Sequence, residues 1–250
     1  MPLRFECHIV EHCNLNCAGC SHFSCLAEPE FLALTHFTAD LRRMRELLPD
    51  AEIARIGLLG GEPLLHPEFA QFVETAHSVF PGIPRYVITN GTLLTEEQLQ
   101  LLAKYNTIIW LSEYPLTDNT KLKKQIQAHN IPLVLWPKHR MRKDVMDFKG
   151  QQDPEYQFSK CRFRLGAGSC QQLYKGQLFP CPKAAFARHL STFFHLNLPQ
   201  QQGLDIYSIN SKAEIYEFLN KPLDFCRYCR QDIQWEVDFN LTEYKLAEWS

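Results

Sequence analysis

The distribution of cysteine constrains this chain more than any other feature of its sequence. The 250 residues include ten cysteines, of which five lie in the first 25 residues and five lie after residue 160. The chain begins without an apolar signal region, so we expect a reducing cytoplasmic setting in which these thiols form no disulfide framework. Cysteines scattered through a core would not leave residues 26–160 without one. The two groups therefore predict metal ligation.

Composition removes several classes of function. The formal net charge is −2 at pH 7, which gives no electrostatic surplus for nucleic acid or an anionic membrane. Apolar runs such as Ile108–Leu111 reach only four residues, far below the roughly 18 that a membrane span requires. We expect a cytoplasmic globular protein whose partners include neither nucleic acid nor a membrane.

Segments with strand and helix patterns alternate between the two cysteine groups. The strand predictions cover residues 3–10, 53–59, 85–89, 107–111 and 131–136. The predicted helices are one capped by Thr38, one with Pro67 in its first turn, one that opens with a capping box at Thr95–Gln98, and one over residues 119–129. This alternation indicates βαβ units with a parallel sheet.

Five strands are too few for a closed eight-stranded barrel. We therefore predict an α/β fold, with a partial (β/α)5–6 TIM-like barrel over residues 1–150 and a small cysteine-rich module over residues 151–250. The boundary lies at the polar segment Lys149–Pro154. Beyond it, the sequence predicts irregular structure, a hairpin that turns at Lys175-Gly176, and one helix over residues 211–220.

The first cysteine motif follows the first predicted strand. Cys13, Cys17 and Cys20 have the spacing C-x3-C-x2-C, and three thiolates on one loop can bind a soft metal centre. A structural zinc site needs a fourth ligand, for which His12, His22 and Cys25 are the candidates. A three-thiolate iron–sulfur cluster instead leaves one iron open to an external ligand. The triplet alone is compatible with a cluster, with zinc and with reduced structural thiols.

Two further motifs follow the next two strands. Gly60-Gly61-Glu62-Pro63 ends the second strand, where glycines let a backbone approach a ligand and the carboxylate can accept from a ligand ammonium. Thr89-Asn90-Gly91 ends the third strand. The cysteine triplet together with these motifs resembles the radical S-adenosylmethionine (radical SAM) superfamily, and the resemblance covers residues 5 to about 136.

The resemblance implies a role for each motif. It implies that Cys13, Cys17 and Cys20 hold a [4Fe–4S] cluster whose open iron binds the amino and carboxylate groups of SAM. It also implies that a flavodoxin- or ferredoxin-type protein reduces this cluster. The SAM-binding residues that it implies are Gly60, Gly61, Glu62, Pro63, Thr89, Asn90 and Ser112. One position departs from the pattern, because Gly19 stands where many members carry an aromatic residue. We therefore expect only a backbone contact to adenine there.

The C-terminal cysteines have a second recognisable order. Cys161, Cys181, Cys226 and Cys229 resemble the Twitch module, a shortened relative of the SPASM domain, which implies a second, auxiliary [4Fe–4S] cluster. A zinc ribbon built by the same four thiols is the alternative. Cys170 is not part of this set of four. It is a free or buried thiol, or it replaces one of the four ligands, or it donates a hydrogen atom to a substrate radical. The last role makes it our catalytic candidate.

A basic run and a resemblance bear on the substrate. Arg140 lies in the basic run Lys138–Lys143, which is either a solvated loop or a site that binds a substrate anion and accepts a proton. The architecture is similar to Twitch-bearing aminocyclitol dehydrogenases, and residues 11–23 resemble radical SAM proteins associated with bacterial surface-polysaccharide genes. This likeness implies an oxidoreductase that oxidises a carbinol of a small carbohydrate-like substrate. A radical SAM epimerase, a peptide maturase, and a non-enzymatic metal scaffold or redox sensor are the alternatives.

Overall fold

The computed structural model describes residues 2–138, 140–164, 171–200, 202–233 and 235–250, without the side chains of 140–143 and 235. The strands are β1 (Leu3–His8), β2 (Ile53–Leu59), β3 (Arg85–Thr89), β4 (Thr107–Glu113), β5 (Leu133–Pro137), β6 (Arg140–Lys143), β7 (Gln171–Tyr174), β8 (Gln177–Phe179), β9 (Leu204–Asp205) and β10 (Trp235–Asp238). The α-helices are α1 (Leu34–Leu47), α2 (Phe69–Val79), α3 (Glu96–Lys104), α4 (Thr120–Ala128), α5 (Pro154–Ser159), α6 (Pro182–Phe194) and α7 (Lys212–Leu219).

Eight strands form one open, mostly parallel sheet with the order β5-β4-β3-β2-β1-β7-β8-β9. The neighbours from β5 to β7 pair in parallel, whereas β8 and β9 are antiparallel additions at the far edge. The strands β6 and β10 form a separate antiparallel pair. The α/β partial barrel predicted from the sequence is confirmed.

Alternate residues of β1 face different environments, as the two-residue period of a strand requires. Phe5 and Cys7 are buried in the apolar core that also contains Phe37 of α1 and Phe72 of α2. The intervening Glu6 is buried among polar groups, where it accepts hydrogen bonds from the Tyr86 hydroxyl and the Gln172 side chain. The helices therefore cover one face of the sheet, and the other face carries polar groups.

The first half of the chain follows the predicted order of elements, with one error in a helix start. The strands β2 and β3 have the predicted bounds, and the capping box at Thr95–Gln98 is present. Thr38 was predicted as an N-cap, but α1 already begins at Leu34, and the Thr38 hydroxyl donates to the Leu34 carbonyl at 2.7 Å. The hydroxyl is satisfied one turn back inside the helix, so the cap prediction is wrong.

The second half is more regular than predicted. Three helices, α5, α6 and α7, occur where the sequence indicated one. The helix α6 was missed because its apolar residues Ala184–Ala187 are contiguous and show no helical period. The predicted hairpin is present, and Lys175 and Gly176 at its turn have φ of 47° and 75°. Because β7 pairs with β1, one sheet contains strands from both sides of the predicted domain boundary at residue 150. The division into two domains there stays a prediction.

No helix within the described ranges is both long enough and apolar enough to span a bilayer.

Candidate active site

The N-terminal cysteines lie on the loop between β1 and α1, beyond the carboxyl end of β1. Cys17 is buried, and Cys13 and Cys20 are half-buried. Burial raises the pKa of Cys17 to about 12, and the charge of Cys20 adds to the increase, whereas a hydrogen bond with Tyr114 opposes it. Burial also raises the pKa of Cys13, with a contribution from the charges of Cys20 and Cys17. The three thiols are therefore within electrostatic range of one another, where a bound metal must displace their protons.

A fourth thiol, Cys25, lies in the same loop. Burial raises its pKa, and the charges of Cys20 and Cys17 add to the increase. Among the residues that the structure describes, no three His, Cys, Asp or Glu side chains are gathered around one point closely enough to hold a single metal ion. That finding concerns one ion, whose thiolate ligands would all lie about 2.3 Å from it, whereas a four-iron cluster binds each thiolate through a separate iron.

The turn after β2 packs directly against the start of the cysteine loop. The Gly61 N–H donates to the Val10 carbonyl at 2.7 Å, and the Glu62 N–H donates to the His12 carbonyl at 3.1 Å. A Cβ on Gly60 would lie 2.4 Å from the Val10 oxygen, and one on Gly61 would lie 2.0 Å from the His12 oxygen. Both positions require glycine because two backbones meet there. The turn therefore fixes the direction in which the cysteine loop leaves β1.

The Glu62 carboxylate connects the ends of β2 and β3. One oxygen accepts from the Thr89 hydroxyl at 2.7 Å and from the Leu64 N–H at 3.2 Å, and the other accepts from the Asn90 N–H at 2.8 Å. Glu62 is 1% exposed, and burial raises its pKa to about 7 although these hydrogen bonds oppose the increase. Pro63 then begins a short 3₁₀ helix, Pro63–Leu65. Three neighbouring donors already share the carboxylate that, by the resemblance, receives the SAM ammonium.

Asn90 connects β3 to the cysteine loop. Its Nδ2 donates to Asn14 Oδ1 at 2.8 Å, and Asn14 Nδ2 donates to the Thr92 hydroxyl at 2.8 Å. Cys13 Sγ lies 4.0 Å from the same Asn90 Nδ2. The structure therefore brings the 60–63 turn and the end of β3 to the cysteine loop, as the resemblance implied.

The sequence also predicts roles for Ser112, Arg140 and Cys170. Ser112 is buried on β4 and pairs in register with Trp136 of β5. Arg140 begins β6, where its backbone pairs with Asp238, but its side chain lies outside the described residues. Cys170 also lies outside the described residues. The catalytic roles assigned to Arg140 and Cys170 stay predictions.

The C-terminal segment Phe239–Trp249 lies across the cysteine loop. Two backbone hydrogen bonds, of 3.0 and 2.8 Å, join residues 240–242 to residues 16–18 in antiparallel fashion. The Trp249 indole N–H donates to the Cys20 carbonyl at 3.0 Å, and the Trp249 side chain is 1% exposed. No sequence motif indicates this contact. The loop is thus held by the turn after β2 and by the C-terminal segment.

The four C-terminal thiols of the predicted ligand set line one cavity. Cys161 follows α5, Cys181 immediately precedes α6, and Cys226 and Cys229 lie at the 3₁₀ helix Asp224–Tyr228. Burial raises the pKa of Cys181, and the charges of Cys161 and Cys229 add to the increase. Apart from the thiols, the walls are mostly apolar, and they include Phe163, Leu223, Phe225 and the buried Lys183. The sequence therefore identified four thiols that the fold brings together.

Charged side chains connect the two cysteine groups. Asp144 is buried and forms an ion pair with Arg162. Burial lowers the pKa of Lys138 to about 8, the charge of Arg162 lowers it further, and the charges of Cys20, Cys17 and Asp144 oppose the decrease. Asp144 also acts electrostatically on Lys183. We call Lys138, Asp144, Arg162 and Lys183 the charged cluster.

Sequence reasoning missed most of the charged cluster. Asp144 and Arg162 belong to no motif, and their pairing depends on a contact across 18 positions of the chain. Lys183 gave a weak signal, because it is a cation between Cys181 and the apolar start of a helix.

Aromatic rings extend across β3, β4 and β5. Tyr86 stacks on Trp110 with 4.9 Å between ring centroids, and Trp110 meets Trp136 edge-on at 6.5 Å. Trp136 is 45% exposed, and Lys138 Nζ lies 3.5 Å from the centroid of its ring. The row of rings therefore reaches solvent beside the charged cluster.

The sequence profile of the Radical SAM superfamily matches residues 8–131. Over these residues, which form its radical SAM domain, the chain belongs to that superfamily. Membership implies a [4Fe–4S] cluster and SAM. The observed site fits them, because three mutually close thiols stand on one loop and two glycines hold that loop against the end of β2.

Two curated relatives match part of this radical SAM chain. It is 31% identical over 105 residues to the antilisterial bacteriocin subtilosin biosynthesis protein AlbA of Bacillus subtilis. That alignment covers 42% of this chain and 22% of AlbA. It is 32% identical over 112 residues to the S-adenosylmethionine-dependent nucleotide dehydratase of Selenomonas ruminantium. That alignment covers 43% of this chain and 38% of the dehydratase. The matches therefore span less than two fifths of either relative.

Two solved structures share the fold over most of this radical SAM chain. BtrN in complex with AdoMet and 2-DOIA aligns with a TM-score of 0.60 at 17% identity, covering 92% of this chain and 93% of BtrN. Native anSMEcpe with bound AdoMet and a peptide aligns with a TM-score of 0.55 at 14% identity, covering 92% of this chain and 90% of that protein. The similarity extends beyond residues 8–131, into the C-terminal part.

Proposed function

We propose that this radical SAM enzyme reductively cleaves SAM and uses the resulting 5′-deoxyadenosyl radical to oxidise a carbinol of a small carbohydrate-like substrate. The observation that carries the proposal is the charged cluster between the two cysteine groups. Asp144 acts electrostatically on both Lys138 and Lys183. Lys138 in turn acts on the N-terminal thiols and Lys183 on the C-terminal thiols. A substrate bound at this cluster would have a redox centre on each side.

We assign the cofactors to the two thiol groups. In this proposal Cys13, Cys17 and Cys20 hold the first [4Fe–4S] cluster, and Cys161, Cys181, Cys226 and Cys229 hold an auxiliary [4Fe–4S] cluster. When bound, the first supplies an electron from a flavodoxin- or ferredoxin-type partner to SAM, and the second accepts an electron from the substrate.

The chain's own residues bind SAM and limit the access of solvent in this proposal. The turn Gly60–Pro63 and the end of β3, Thr89-Asn90, hold the methionine end of SAM, and Ser112 lies on the neighbouring strand for a further polar contact. The buried Trp249 side chain covers the loop from the other side, since it is 1% exposed and hydrogen-bonded to Cys20. This cover limits the access of solvent and of other small molecules to the loop that would hold the cluster.

The oxidation balances with one base and one electron acceptor. The carbinol carbon gives a hydrogen atom to the 5′-deoxyadenosyl radical, the hydroxyl gives a proton to a base, and one electron passes to the auxiliary cluster, which leaves a ketone. Lys138 fits the base, because burial lowers its pKa to about 8 and part of it is neutral near physiological pH. Arg140 suits an anionic group of the substrate instead, since a guanidinium does not deprotonate in proteins.

The aromatic row supports a carbohydrate-like substrate. Trp136 presents a 45% exposed ring beside the side chain of Lys138. The C–H face of a sugar packs on such a ring, and the cationic Arg140, two positions after Lys138 in the chain, suits a phosphate or carboxylate on the same molecule. This pairing fits a sugar phosphate or a sugar nucleotide.

The test is isotopic. Protein reconstituted without oxygen is incubated with SAM, dithionite and sugar nucleotides deuterated at single carbinol carbons. We expect deuterium in 5′-deoxyadenosine and a ketone product. Cys17→Ala should abolish both, whereas the matched variant Cys25→Ala should retain them. The proposal would be contradicted if deoxyadenosine formed but carried no deuterium from any of the labelled carbinols.

A peptide is the second candidate substrate, and the 31% identity to the bacteriocin biosynthesis protein AlbA over 105 residues favours it. Deuterated peptides in the same assay separate the two candidates. Label transferred from a peptide and from no carbinol would select the peptide maturase. A product with an inverted rather than an oxidised carbon would select the epimerase, with Cys170 as the predicted hydrogen donor.

A further inference from the structure

Lys183 is a buried cation in an otherwise apolar position. It lies in the first turn of α6, two residues after Cys181, and its side chain is 1% exposed. Lysine is almost never buried to this extent without a partner, because removing an ammonium from water is costly. The surroundings of Lys183 must therefore contain the negative charge that stabilises it.

Oxygen atoms do not provide that charge directly. Within the described residues, Lys183 Nζ has no oxygen acceptor, but it acts as a hydrogen-bond donor toward Cys229 and so lowers the pKa of that thiol. Asp144, a carboxylate that acts on Lys183 electrostatically, already forms an ion pair with Arg162. The cavity that Lys183 lines contains the thiols of Cys161, Cys181, Cys226 and Cys229, and its other polar lining residues, Gln157, Gln231 and Arg164, carry no negative charge. The thiol sulfurs are the remaining source of negative charge.

We propose that Lys183 is the fixed counter-charge of the auxiliary cluster and sets its reduction potential. This inference rests on the proposed function, in which the four thiols hold that cluster. Four thiolates give such a cluster a net negative charge, and reduction adds one more. A buried cation stabilises the reduced form most, so it raises the potential and makes the cluster a better acceptor for the electron of the substrate.

An exposed lysine beside the same site provides a matched control. Lys160 immediately precedes Cys161, and its side chain is exposed. Water and salt screen its charge, so its effect on the cluster should be small although it is one position closer in sequence to a ligand than Lys183 is.

The test isolates the auxiliary cluster in a full-length Cys13→Ala/Cys17→Ala/Cys20→Ala variant. Iron and sulfide are counted, and the midpoint potential is measured by EPR-monitored redox titration. In this background, Lys183→Met should make reduction of the auxiliary cluster at least tenfold less favourable. This corresponds to a decrease in the midpoint potential of about 59 mV for a one-electron couple. Lys183→Arg should keep most of the potential, and Lys160→Met should shift it by less than a third of that amount.

The other outcomes of this experiment separate the role of Lys183 from the existence of the auxiliary cluster. About four irons per chain with an unchanged potential in Lys183→Met would overturn the role of Lys183 and leave the auxiliary cluster standing. A parent variant without iron would overturn the auxiliary cluster and, with it, the role of Lys183. If Lys183→Met does not fold, Lys183→Gln is measured by the same criteria. Loss of iron from both neutral variants but not from Lys183→Arg also supports the need for a positive charge.

Discussion

The two cysteine groups of this protein are assembled in different ways. The N-terminal trio comes from eight consecutive positions, 13–20, on a single loop. The C-terminal four come from three segments spread over residues 161–229 and meet only because α5, α6 and the 3₁₀ helix Asp224–Tyr228 pack together. The first group is therefore set by local spacing and the second by the tertiary fold.

The two groups also differ in how they are supported. The N-terminal loop is held from outside, by Gly60 and Gly61 on one side and by Trp249 on the other. The C-terminal group instead lines a cavity together with a buried cation, Lys183. Three thiols on a braced loop suit a centre with one open coordination position. Four thiols beside a fixed charge suit a closed centre that only stores or passes electrons.

The comparison is tested most severely by Cys17→Ala. Removing one of three thiolates should abolish deoxyadenosine formation and remove about four of the eight irons expected per chain. Metal analysis and chromatography of deoxyadenosine measure both. Cys25→Ala is the control in the same loop, and equal iron loss in the two variants would show that the trio is not the ligand set.

Cys226→Ala should have a large but different effect. It should also remove about four irons, yet deoxyadenosine should still form, because the cluster that cleaves SAM is intact. The ketone product should disappear, since the electron from the substrate has no acceptor. Coupled ketone formation at the normal rate would mean that the C-terminal site takes no part in oxidation.

Gly61→Ala tests the external support of the loop. The new Cβ would lie 2.0 Å from the His12 oxygen, so we expect the free energy of unfolding to fall by about 1–3 kcal/mol and SAM binding to weaken. Gly82→Ala is the control, because a Cβ there meets no atom within 4 Å. Chemical denaturation and SAM titration measure the effects. Equal stability of the two variants would contradict the close approach.

Trp249→Phe should give the smallest effect. It keeps an aromatic ring but loses the hydrogen bond to the Cys20 carbonyl, which contributes about 1 kcal/mol. The N-terminal irons should then be lost to a chelator several-fold faster, while those of the C-terminal site are lost at the usual rate. Tyr244→Phe, at a 44% exposed position, should change neither rate. Faster loss from both sites would show a general destabilisation.

Local signals predicted the fold and part of the site. The capping boxes at Thr95 and Ser211, the Lys175-Gly176 turn and the strands β2 and β3 each depend on a few adjacent residues, and all are present. The meeting of the 60–63 turn with the cysteine loop followed from parallel strands ending at one edge.

Long-range contacts could not be predicted in this way. The burial of Lys183 depends on the packing of α6 against two other segments. The contact of Trp249 with Cys20 joins positions 229 residues apart. The misplaced cap at Thr38 has another cause, because a threonine hydroxyl is satisfied equally well by a carbonyl one turn back.

The central claim is that the N-terminal trio leaves one iron free for SAM and the C-terminal four do not. Electron–nuclear double resonance on the reduced protein, with ¹⁵N in the amino group and ¹⁷O in the carboxylate of SAM, tests it directly. The account predicts hyperfine coupling of both nuclei to the cluster that remains in Cys226→Ala, and none in the Cys13→Ala/Cys17→Ala/Cys20→Ala variant. The absence of coupling in Cys226→Ala, with its irons present and SAM bound, would contradict it.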